Sequence, residues 1–204
     1  MLGVFAVFYG LRLTWFSLHG PFLHGARQLL IVVLAMMLGK LTGRLLQLQK
    51  TSNRLGRFAR ERIEQRAATK ARTFSDGFNT CAILFCAAPL AVLGAVQDGV
   101  SGYYQPLVVK AVMDGLATMA FAAGFGWSVV LSALPVLAWQ GTITLAAQYA
   151  QPFLASHGLL DNLNATGGLL VFSVALVILE LRKIELADYL PSLAFAPLLT
   201  WAWS

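Results

Sequence analysis

The chain has 204 residues, 58% hydrophobic and only 12% charged, with a mean hydropathy of +0.69; a soluble domain, about half apolar and about a quarter charged, is excluded. Its net charge of +6 does not argue for nucleic acid, because ten of the fifteen Lys and Arg lie between Lys40 and Arg72, and elsewhere five basic residues face seven acidic ones. Composition therefore predicts an all-α integral membrane protein with one basic cytoplasmic segment.

Helix A is predicted at Met1–Leu18, before a turn at His19, Gly20, Pro21 and His24. No cleavable signal is expected, since its apolar run lacks a preceding basic region. Helix B runs from Gly25 to Leu48, and its second part carries Gly39, Lys40, Gly43 and Arg44, whose basic side chains can snorkel to the cytoplasmic interface. Residues 50–73 hold Arg54, Arg57, Arg60, Arg62 and Arg66 among helix-favouring neighbours. An interfacial or cytoplasmic helix touching anionic lipid is predicted there, with partner docking as the alternative role.

Helix C is predicted at Phe78–Gln97, bent by Pro89 and Gly94, and helix D at Pro106–Ala123, ended by Gly124 and Gly126. Helix E spans Trp127–Leu154, interrupted at Pro135 and at Gln140-Gly141; helix F covers Leu163–Leu181 and helix G Ile184–Trp203. The two cysteines, Cys81 and Cys86, are five apart; about 500° of helical turn separates their side chains, so no disulfide is expected between them. Seven spans with the basic segment inside place the N-terminus in the cytoplasm. Arg182 and Lys183 in the F–G turn agree, as do the outer loops, which contain Asp98 and Asp161 and no basic residue.

An internal repeat organises this pattern. Residues DGLATMAFAA at Asp114–Ala123 recur as DYLPSLAFAP at Asp188–Pro197, with Thr118 answered by Ser192. Weaker matches relate LAVL at Leu90–Leu93 to ALVI at Ala175–Ile178, and VVLAM at Val32–Met36 to VVLSA at Val129–Ala133. The expected architecture is one membrane domain: an N-terminal helix (1–24), repeat 1 (25–124) and repeat 2 (125–204). Three spans per unit invert the second against the first, as in secondary transporters whose site lies between repeats. Aligning the two VVL strings sets Gly43 opposite Gln140, so helices B and E are both expected to be broken, at Gly39–Gly43 and Pro135–Gly141, exposing backbone to a solute.

Lys110, Asp114 and Thr118 form an i, i+4, i+8 stripe on helix D. Charges inside a span face a bundle interior or a watery cavity, so Asp114 and Gln140 head the candidate pathway residues, with Gly141 beside them; a self-neutralising Lys110–Asp114 pair is the structural alternative. Asp188 is expected nearer the interface. Asn79 and Thr80 open helix C, and Asn164 and Thr166 open helix F, as N-caps with ligand contact the lesser reading. Gly167-Gly168 suits close helix packing. His19 and His24 lack further ligands, so no metal is expected. Without a G-x-S-x-G, H-E-x-x-H or P-loop pattern, neither enzyme activity nor a cofactor is expected. The leading expectation is a small-solute or ion transporter or channel; the other is a membrane scaffold or regulator acting through its basic segment. The bilayer and anionic lipid are the expected partners, nucleic acid is not, and a homodimer suits so thin a bundle.

The strings LGAVQDGVSG, LVVKAVMDGLATMAFAAGFGWSVVLSALPVLAWQG and ATGGLLVFSVALVILELRKIELADYLPSL resemble a bacterial inner-membrane family of unknown function, the YqgA/YdfK-like proteins. The resemblance runs from helix B to helix G and rests on K-x-x-x-D-G, S-A-L-P-V and T-G-G-L-L. It implies a polytopic inner-membrane protein, with one further apolar segment ahead of helix A in family members, and no substrate.

Overall fold

In a computed structural model, residues 2–17, 22–68 and 74–203 are described, and every regular element among them is helical. The helices are α1 (Leu2–Ser17), α2 (Phe22–Leu45), α3 (Leu48–Ala68), α4 (Phe74–Cys86), α5 (Pro89–Ser101), α6 (Gln105–Phe125), α7 (Ala133–Ser156), α8 (Leu160–Ile178), α9 (Leu186–Tyr189) and α10 (Ser192–Trp203), with a 3₁₀ segment at Gly126–Ser132 between α6 and α7. Gly25–Leu45, the helical run Gln105–Ser156 and Leu160–Ile178 are long and apolar enough to cross a membrane. Ser75–Cys86 and Pro89–Ser101 make a fourth span if taken together, bent by 58° where Pro89 follows a two-residue gap. At 16 residues, α1 is about 24 Å long, short of a hydrocarbon core of about 30 Å.

α8 is the centre of the bundle. Leu163, Leu170, Val171 and Val174 on α8 pack with Leu93 and Val100 of α5 and Leu193 of α10. On its other flank Gly168 lies against the backbone of Gly10, and Thr14 Oγ1 of α1 donates to the Ala165 carbonyl at 3.3 Å. Gly167 meets the side chain of Gln97, which is fully buried. Both glycines thus serve the close packing expected of them. A second apolar cluster, Cys81 and Phe85 of α4 with Phe125 and Val129, fixes the corner between α6 and the 3₁₀ segment. Gly126 makes that corner at φ 79° and ψ −160°, a conformation open only to glycine. α7 leans on α5, where Thr144 Oγ1 donates to the Ala95 carbonyl at 3.2 Å, and no α7 residue is fully buried.

Several predicted boundaries shift. α2 runs unbroken through Gly39–Gly43, and α7 runs unbroken through Pro135 and Gln140-Gly141. Pro135 falls in the first turn of α7, where its missing N–H would have had no helical partner anyway. The breaks lie instead at Ala87-Ala88 in helix C and at Leu190-Pro191 in helix G. α4 begins at Phe74 and α8 at Leu160, so Asn79, Thr80, Asn164 and Thr166 sit inside helices and cap neither. Residues 50–68 of the basic segment lie in one helix, α3, with Arg54 and Arg57 exposed and Arg60, Arg62 and Arg66 further along it; residues 69–73 lie outside the described residues. His19 lies outside the described residues, and His24 falls in the first turn of α2.

Candidate functional site

α6 and α7 diverge from the Gly126 corner and leave a cleft of about 570 Å³ between them. The Lys110, Asp114, Thr118 stripe lines one wall; Ser132, Val136 and Gln140 line the other, and Phe85 of α4 the floor. The remaining lining is mostly apolar, with Met119, Val130 and Leu137 among it. Few polar groups in an apolar groove is the usual make-up of a small-ligand site.

Within the cleft Lys110 Nζ donates to the Asp114 carboxylate one helical turn along. The lysine is only 3% exposed and its ammonium also lies 5.9 Å from the centre of the Phe85 ring, a cation–π contact. Asp114 is less covered and turns towards the cleft, and Thr118 Oγ1 donates back to the Asp114 carbonyl at 2.7 Å. Gln140 Nε2 is buried without a hydrogen-bond partner. A buried donor with no acceptor is a destabilised group that a solute's oxygen or a water can satisfy.

The other sequence candidates go elsewhere. Gly39 and Gly43 lie on the face of α2 that meets α9 and α10: a Cβ on Gly39 would stand 2.5 Å from the Ser192 nitrogen, and one on Gly43 would overlap the Asp188 backbone. Their role is close approach, the usual work of small residues between membrane helices. Gly141 faces open space and is outside the cleft lining. Asn79 is exposed and bonds Ser75 at 3.0 Å; Thr166 is fully buried and donates to the Asn162 carbonyl at 2.7 Å; Asn164 Oδ1 is buried without a partner. None of these three lines the cleft.

Asp188 is 4% exposed, and its Oδ1 accepts the Gln49 N–H at 2.8 Å, while Gln49 Oε1 accepts the Ala187 N–H at 3.0 Å. This reciprocal pair caps the start of α3 and fastens the basic helix to α9. Lys40 reinforces the junction from α2, its ammonium 5.2 Å from the centre of the Tyr189 ring. Phe85, Ser132 and Val136 of the cleft were not foreseen, because nothing in an apolar sequence marks which Phe or Val faces a groove.

Taken together, an all-helical chain with several apolar spans and a charged pair set into an interhelical groove defines a membrane protein. The chain belongs to the family described as protein of unknown function (DUF554), which matches residues 1–201. Among its relatives is the uncharacterized membrane protein YdfK of Bacillus subtilis (strain 168), 28% identical over 169 residues, or 82% of this chain and 69% of the relative. Another is the uncharacterized protein YqgA of Escherichia coli (strain K12), 29% identical over 174 residues, or 85% of this chain and 74% of the relative. No solved structure matches the chain.

Proposed function

We propose that the protein is a small-solute or ion transporter or channel of the bacterial inner membrane, N-terminus inside, and that the α6–α7 cleft is its route. The observation that carries this reading is the meeting of Lys110, Asp114 and Thr118 with Gln140 in one groove, from helices separated by a sharp corner. Lys110 holds Asp114 in place, Asp114 presents a carboxylate to the groove, and Gln140 offers a second polar contact across it. The reading assigns no chemical step to this cleft.

The proposed architecture, two inverted repeats within seven spans, is supported by the sequence pairing. Pairing VVL with VVL sets Gly39 and Gly43 against Val136 and Gln140, and pairing the Asp-led strings sets Ser192 and Asp188 against Thr118 and Asp114. The contacts follow the same pairing. Gly39 touches Ser192 and Gly43 touches Asp188, whereas Val136 and Gln140 share the open cleft with Thr118 and Asp114. We read these as two versions of one interface, closed where glycines allow contact and open where Val136 and Gln140 stand in their places. Opposed halves around a site are how inverted-repeat transporters are built.

Flux in reconstituted vesicles tests the reading. Solute or ion movement is expected to depend on the protein and to fall at least tenfold in Asp114→Asn and in Gln140→Ala; an observed flux unchanged by both substitutions refutes the site.

A further inference from the structure

Far from the cleft, the first turns of α2, the end of α7, the start of α8 and the last turn of α10 enclose a second cavity of about 230 Å³. Two polar side chains lining it are almost wholly buried, Gln28 at 6% and Asn162 at 3% exposed. In both, the amide oxygen has no hydrogen-bond partner. The orientation of Asn162 follows from its neighbour: Thr200 Oγ1 donates its one proton to the Ala196 carbonyl at 2.7 Å, so towards Asn162 Nδ2, at 2.8 Å, it can only accept. Oδ1 is thereby left as a bare acceptor.

The rest of the lining carries charges of both signs. Asp161, an exposed residue in the first turn of α8, brings a carboxylate to the rim. His157 Nδ1 lies 2.8 Å from the Phe153 carbonyl and 3.0 Å from Ser156 Oγ. Arg27, which also lines the cavity, donates to the Trp203 carbonyl through one of its nitrogens. Two buried oxygens without donors beside a carboxylate call for a cationic or donor-rich guest, since unpaired buried acceptors are costly. A single carboxylate next to Arg27 is too little charge for a divalent ion, which draws on several carboxylates.

We infer that this cavity binds a compact monovalent cation, an alkali ion or a small protonated amine, held by Asn162 Oδ1, Gln28 Oε1 and the Asp161 carboxylate. The site is separate from the α6–α7 cleft, and its test reads binding without flux.

The experiment is thermal unfolding of the full-length protein in detergent, titrated with sodium, potassium or methylammonium chloride, with choline chloride holding ionic strength constant. One class of cation is expected to raise Tm with the logarithm of its concentration, by about 5 °C at a hundredfold excess over Kd. The alkali and methylammonium arms identify which kind of cation it is. Asp161→Asn, at an exposed position in the first turn of α8, and Gln28→Leu are both expected to abolish the rise. No rise beyond choline for any cation, or an equal rise in Asp161→Asn, overturns the inference and leaves the orphaned oxygens to water.

Discussion

Gly43 of α2 stands against the backbone of Asp188 so closely that a Cβ would overlap it, whereas Gln140 and Asp114 line an open cleft. The difference rests on side-chain size at two positions of one helix. Gly39→Ala and Gly43→Ala are expected to lower Tm by about 5 °C each, as overpacking does at a cost of about 1–3 kcal/mol. Gly141→Ala, pointing into open space, leaves Tm unchanged or raises it. Thermal unfolding of the three variants side by side checks the contrast; equal effects would mean that α2 does not meet α9 and α10 as described.

The ion pair in α6 separates structure from function. Asp114→Ala strands the buried Lys110 ammonium, and breaking a buried pair from one side costs about 3–5 kcal/mol. Replacing both, Lys110→Met with Asp114→Leu, removes the stranded charge and is expected to restore most of the lost Tm. The restored variant carries no flux if Asp114 serves the pathway and normal flux if the pair is only structural. Unfolding curves and vesicle flux measured on the same preparations read both properties.

Asp188 gives a third expectation. Because its Oδ1 accepts the Gln49 N–H, Asp188→Ala removes the cap of α3 and costs about 1 kcal/mol or somewhat more. Asp188→Asn keeps an acceptor oxygen at the same place. Limited trypsin digestion at Arg54 and Arg57 is expected to run several-fold faster in Asp188→Ala than in the parent chain, with Asp188→Asn close to the parent. Similar rates in all three would detach Asp188 from the basic helix.

What the sequence makes legible here is burial and charge, and what it hides is contact. The apolar runs, the basic helix and the corner after Phe125 follow from local rules of hydropathy, helix preference and glycine backbone freedom. Asp114 and Gln140 were within reach because a polar group inside a span is costly wherever it points, so it stands out before its surroundings are known. Gly39 and Gly43 were misread as a break: a glycine in a span serves a kink or a close approach equally well, and only the partner helix decides. Pro135 was misread because a proline in a first turn and one in mid-helix look alike until the helix start is placed. Asn164 and Thr166 looked like caps for the same reason, since α8 begins at Leu160, four residues before Asn164.

The claim that the α6–α7 cleft is an aqueous route is tested most directly by cysteine accessibility. In a Cys81→Ala, Cys86→Ala background, Thr118→Cys in the cleft is compared with Val112→Cys, an exposed α6 position outside the cleft lining, using a membrane-impermeant thiol reagent on protein in vesicles. A water-filled route predicts that Thr118→Cys is labelled at least tenfold faster than Val112→Cys, and that labelling slows when a transported solute is present. Labelling of neither position, or of both alike, would make the groove a lipid-facing seam and contradict the proposed function.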